Sequence, residues 1–119
     1  MLDKKAESFR HAFGGLKIAW REEFSFRFQL TCAGIAILAS WIFGLSLFEF
    51  AIILFLIGFV LTVETLNTSL EEFCDMVKSD PDPHIAKIKD LAAGAAFIAS
   101  MTSLAVGAAI FIPHLLPYL

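Results

Sequence analysis

Three apolar runs, roughly Phe28 to Phe48, Phe50 to Leu70 and Leu91 to Ile112, constrain this chain more than anything else in it. Each is close to the ~20 residues a helix needs to cross a bilayer. In a chain of 119 residues they leave little for anything but one membrane domain, and 58% hydrophobic against 18% charged residues is far from the balance of a soluble domain. The expected fold is an all-α membrane protein with membrane helices at about 28–48, 50–77 and 89–112, preceded by a surface helix at 4–24.

That surface helix follows from period. Phe9, Phe13, Leu16 and Trp20 recur at steps of four, three and four, while Lys5, Arg10, Lys17 and Arg21 fall on the other side. Such a helix lies on a membrane with its basic side toward headgroups and water. The first 27 residues carry charges throughout, so no secretory signal is expected there. All nine Lys and Arg residues lie either before the first run or at Lys78, Lys87 and Lys89. The positive-inside rule therefore puts the N-terminus and the Lys78 to Lys89 loop in the cytoplasm, and the Gly44 to Glu49 turn and the C-terminus outside. Cys32 and Cys74 are read as free thiols, since two cysteines so placed make no disulfide framework.

The third run is rich in small residues, with Ala95, Ala99, Ser103 and Gly107 at four-residue steps, a face that packs closely on another helix. Pro113 and Pro117 end it. Ser79-Asp80-Pro81-Asp82-Pro83 reads as a compact turn between the second and third runs. Three helices make a thin bundle, so packing between subunits is expected as well.

The second run ends in V-E-T-L-N-T-S-L-E-E-F-C-D, Val63 to Asp75. On a helix starting near Phe50, Glu64 lies about 21 Å along and Glu71 about 32 Å, so Glu64 is below the cytoplasmic boundary and Glu71 and Asp75 are at or beyond it. Glu64, Asn67, Thr68, Glu71 and Asp75 fall within an arc of about 100°, one polar face, with Glu72 to its side. A carboxylate in hydrocarbon costs about 2.5 to 3.5 kcal/mol on the lenient insertion scale, so it marks a functional site or an internal pair. The alternative is a neutral acid hydrogen-bonded to a neighbouring helix.

Glu71 and Asp75 supply oxygen ligands for a hard cation, and Lys89 at the start of the next helix supplies a point charge for phosphate. Glu64 would lie below a bound metal nucleotide, where a lipid hydroxyl could give up its proton to it. No G-x-x-x-x-G-K-[ST] or kinase-type glycine loop is present, so a phosphate site here is unconventional.

The run E-T-L-N-T-S-L-E-E-F-C-D resembles the signature E-x-x-N-[ST]-[SA]-[IVL]-E-x-x-x-D of the small prokaryotic membrane lipid kinases, the diacylglycerol kinase and undecaprenol kinase family. G-L-K-I-A-W-R-E-E-F-S-F-R and A-K-I-K-D-L-A-A-G-A-A resemble that family's surface-helix segment and its entry to the third span. The resemblance covers essentially the whole chain. It implies a homotrimer of three-span subunits in the cell inner membrane that uses Mg-ATP to phosphorylate a lipid alcohol. No nucleic-acid partner is expected.

Residue by residue, it implies Glu64 as general base with Asn67 beside it, and Glu23 and Glu71 as the carboxylates holding Mg²⁺ against the phosphates of ATP. It places Lys89 on the phosphates, Asp75 and Asp90 toward the nucleoside, and the backbone of Asp80 to Asp82 along the nucleotide pocket. Arg27 and Ala93 border the lipid entry. Lys4 and His11 fall at nucleotide positions where the family commonly has Arg and Tyr, and Asp82 stands where a His is common. His84 reads as a solvent-facing loop residue and His114 as lying outside the membrane.

The A-K-I-K-D-L-A-A-G-A-A stretch and the F-I-P ending look more like the undecaprenol kinases of that family, a resemblance that implies undecaprenol rather than diacylglycerol as substrate. Two readings of other classes remain to be weighed. A proton-coupled transporter would place Glu64 nearer mid-bilayer; a structural subunit would pair these acids with a partner's basic helix.

Overall fold

The computed structural model describes residues 2–77 and 80–119, so Lys78 and Ser79 of the expected loop and turn lie outside the described residues. Among those described, every regular element is helical: α1 (Leu2–Glu22), α2 (Phe24–Ile42), α3 (Leu47–Val77) and α4 (Pro83–Leu115), closed by a 3₁₀ turn at Leu116–Tyr118. The stretches 24–42, 47–77 and 83–118 are each long and apolar enough to cross a membrane. α3 packs mainly on α4, α2 on α3, and α1 on α2.

The joint at Glu23 sets the position of α1. Glu23 has extended backbone, φ −113° and ψ 112°, and its side chain does not cap the following helix. Across the break, the Arg27 guanidinium donates to the carbonyls of Trp20, at 2.8 Å, and Arg21, at 3.0 Å. These are among the carbonyls that a helix leaves without internal partners at its C-terminus. Ala19 and Phe26 are buried beside the joint. The molecule measures 54 × 42 × 21 Å. The long axis matches the roughly 50 Å of a helix the length of α4, and the second axis is too wide for three helices 8–10 Å apart, so α1 extends away from the bundle.

α2 ends at Ile42, six residues short of the apolar run's end at Phe48, for a reason visible in the backbone. Gly44 takes φ 67°, the left-handed conformation that glycine adopts without a steric penalty. Leu45 N–H then reaches Ser40 O at 3.0 Å and Gly44 N–H reaches Trp41 O at 3.3 Å, the paired bonds of a Schellman stop. Ser46 and Glu49 start α3 as a capping box: Glu49 N–H donates to Ser46 Oγ at 3.2 Å, and Ser46 N–H donates to Glu49 Oε1 at 2.9 Å. At this end His114 Nε2 of α4 lies 3.1 Å from Glu49 Oε2, and Tyr118 packs edge-on against Phe43 with ring centroids 5.7 Å apart.

The core is narrow and built largely of small residues. Ala33, Ile53, Cys74, Ala92 and Ala99 are buried, whereas Trp41, Leu47, Phe48, Phe55, Phe97 and Leu104 are widely exposed. Soluble monomers rarely show contiguous apolar surface beyond a few hundred Å². Here it runs the length of the spans, so lipid is their solvent and the chain is a membrane protein. The small-residue face of α4 is centred on Ala92 and Ala99, with Ser103 and Gly107 half-buried and Ala95 exposed at its side. The buried face of α2 passes through Phe26, Gln29, Ala33, Ala36 and Ser40 at helical spacing.

Candidate active site

Glu64 lies on the α3 face that packs into the bundle, with 9% of its surface exposed. A carboxyl group so placed needs partners, because desolvating an unpaired charge is expensive. The Gln29 side chain of α2 faces it, and Glu23 and Glu71 lie within electrostatic reach. The joint after α1, the start of α2 and the C-terminal half of α3 thus place two further carboxylates and one amide where they act on Glu64. Asn67, one turn beyond Glu64, is half-buried, and its Oδ1 accepts no hydrogen bond among the described residues. Gln29 Oε1 is likewise buried without a donor. An alcohol or ammonium group entering here would meet acceptors already stripped of water.

Lys89 of α4 reaches back to α3, its Nζ 2.5 Å from Asp75 Oδ1. Glu71 and the buried Cys74 also lie within electrostatic reach of this ammonium. Glu71 is therefore electrostatically linked to Glu64 on one side and to Lys89 on the other. Together these residues form an acidic strip with one base, Lys89, where the C-terminal part of α3 meets the N-terminal part of α4.

The other residues singled out in the sequence fall elsewhere. Asp90 follows Lys89 by 100° of helix rotation and lies with Pro83, Ala86, Lys87 and Leu91 on a face of α4 that α3 does not cover. Ala93 is exposed, and so is Asp80 in the bend before α4. Asp82 is the N-cap of α4, its Oδ1 accepting from His84 N–H at 2.8 Å and Ile85 N–H at 3.3 Å. Arg27 is taken up in holding the end of α1. Lys4 and His11 are exposed on α1 and make no hydrogen bond or ion pair to α3 or α4 among the described residues.

Gln29 is the residue that sequence reasoning missed. Its signal was present: a lone amide inside an apolar run, in helical register with Phe26 and Ala33 on the stripe that α2 buries.

No three His, Cys, Asp or Glu side chains among the described residues converge as a complete metal centre. Mg²⁺ does not need one, since one or two carboxylates suffice when substrate phosphates fill the remaining positions. The hard oxygen donors of Glu23 and Glu71, both within electrostatic reach of Glu64, suit that ion.

The family model described as prokaryotic diacylglycerol kinase matches residues 10–111, a stretch containing Glu23, Gln29, Glu64, Glu71, Asp75 and Lys89. The chain belongs to this family. It is 33% identical over 114 residues to an undecaprenol kinase of Bacillus subtilis, covering 96% of this chain and 93% of that protein. It is also 33% identical over 111 residues to a diacylglycerol kinase of Synechocystis, covering 92% of this chain and 63% of that longer protein. The chain is accordingly a lipid kinase, and the transporter and structural-subunit readings give way to that.

Proposed function

We propose that this lipid kinase transfers the γ-phosphate of ATP to the primary alcohol of undecaprenol, and to diacylglycerol less well. The observation that carries this reading is the buried Glu64 flanked by Gln29, Glu23 and Glu71 at the inner end of the bundle.

In this mechanism the lipid hydroxyl lies against Glu64 and directs its one O–H hydrogen to that carboxylate. Glu64 takes the hydroxyl proton as the oxygen attacks the γ-phosphorus, and ADP departs carrying the electrons of the broken bond. Glu23 and Glu71 would hold Mg²⁺, which when bound draws off charge from the phosphate oxygens. Lys89 steadies the triphosphate. The lipid chain has a place in the groove of about 380 Å³ between α2, α3 and α4, which reaches from Gln29 and Leu61 to Ile53 and Phe111. The working form is a homotrimer in the inner membrane, with the N-terminus and the site on the cytoplasmic side; the distribution of Lys and Arg supports that orientation.

The test is purified protein in mixed micelles with Mg-ATP, offered undecaprenol and diacylglycerol in parallel. Phosphorylated undecaprenol forming with the higher kcat/KM is the expected result. Preference for diacylglycerol would overturn the lipid assignment, and no phosphorylated product from either would overturn the reading itself.

A further inference from the structure

The pairing of Asp75 with Lys89 gives Asp75 a task different from contact with a nucleoside. Lys89 carries its charge on a flexible four-carbon stem, and nothing in such a side chain fixes where the ammonium sits. Here the Asp75 carboxylate fixes it, through a 2.5 Å contact bridging α3 to α4 across 14 residues of sequence. Asp75 is 62% and Lys89 38% exposed in their side chains, so the pair lies at the open mouth of the strip rather than in its core. A lysine ammonium has three N–H donors. One is engaged by Asp75, and two remain directed away from it for phosphate oxygens. Glu71, one turn before Asp75, also lies within electrostatic reach of the same ammonium.

We propose that Asp75 is a positioning residue that acts on the phosphoryl donor only through Lys89, holding its ammonium beside the Glu71 carboxylate. This rests on the role given to Lys89 under the proposed function. Recognition of the nucleoside is then no part of what Asp75 does, and its loss affects every ligand that Lys89 grips by a phosphate.

Inorganic tripolyphosphate, which has no nucleoside, separates the two roles. The experiment compares KM for ATP, kcat and the inhibition constant of Mg-tripolyphosphate in wild type, Asp75→Asn, Asp75→Glu, Lys89→Gln and the double variant Asp75→Asn/Lys89→Gln. An exposed ion pair shifts an equilibrium by at most about fivefold, so Asp75→Asn should weaken ATP and tripolyphosphate by the same factor of about two to five. Asp75→Glu should restore most of that, and Asp75→Asn should cost nothing further once Lys89 is Gln. A loss confined to ATP, or a full additional loss in the Lys89→Gln background, overturns the proposal while leaving Lys89 on the phosphates. Wild-type ATP and tripolyphosphate constants in Lys89→Gln would instead remove Lys89 from the phosphate site, and the proposal with it. Asp75→Ser replaces Asp75→Asn should the latter fail to purify as folded protein.

Discussion

His114 Nε2 lies 3.1 Å from Glu49 Oε2, joining residues 65 apart in sequence at the end of the bundle opposite the site. Glu49 is the one charged residue between Arg27 and Glu64, and His114 and Tyr118 are the titratable side chains after Asp90. Asp75 and Lys89 tie the same two helices at their other ends. α3 and α4 are thus held at both termini, with the groups assigned to chemistry on the stretch nearer the Asp75–Lys89 pair.

Glu49→Gln and His114→Gln should each lower the thermal unfolding temperature in micelles, and the double variant should lower it by less than the sum of the two. Lipid phosphorylation at a temperature where all are folded should stay near wild type. Full additivity would mean that the two side chains act independently.

Gln29→Leu removes the amide that faces the Glu64 carboxyl group and can donate to it as lipid binds. A hydrogen bond to a charged group is worth about 1.5–3 kcal/mol, so kcat should fall by about one to two orders of magnitude with KM for ATP little changed. Steady-state kinetics at saturating lipid would check this, and a kcat within a factor of two of wild type would remove Gln29 from the site.

Asp82→Ala deletes the acceptor that satisfies the N–H groups of His84 and Ile85 at the start of α4. Loss of an N-cap costs about 1 kcal/mol, and Asn or Ser at this position should recover most of it. Thermal unfolding of the three variants measures the effect. If the side chain instead served the nucleotide, KM for ATP would change in all three while stability stayed put.

Glu71→Gln and Glu23→Gln each withdraw one hard oxygen anion from the place proposed for Mg²⁺. Activity in both should fall at low Mg²⁺ and recover in part as Mg²⁺ is raised, because a weakened site can still be filled by mass action. A Mg²⁺ titration of initial rates reads this directly. Losses that do not respond to Mg²⁺ would place the two carboxylates elsewhere in the mechanism.

The parts of this molecule governed by local pattern were legible in the sequence, and the parts governed by side-chain reach across helices were not. Three spans and an amphipathic leader follow from apolar runs and a 3.6-residue period, and Glu64 stood out because an acid in hydrocarbon is costly. The end of α2 at Ile42 was hidden because hydrophobicity continues through Phe48, while Gly44 and the Ser46–Glu49 box decide the boundary. Arg27 could be located near the membrane entry, but its hold on Trp20 and Arg21 depends on an interruption of the helix at Glu23 that no periodicity reveals. Gln29 was missed for a similar reason, since a neutral amide gives no charge signal and its partner is 35 positions away. Lys89 and Asp90 are neighbours in the motif, yet helix rotation sends them to different faces.

Transfer of labelled phosphate from Mg-ATP to undecaprenol by Glu64→Gln, in a single turnover with nucleotide binding measured alongside, tests the role of Glu64 most directly. An amide of the same shape cannot take the hydroxyl proton, so transfer should drop by about 10² to 10⁴ while ATP binding is retained. Transfer within a few-fold of wild type would show that the proton goes somewhere other than Glu64.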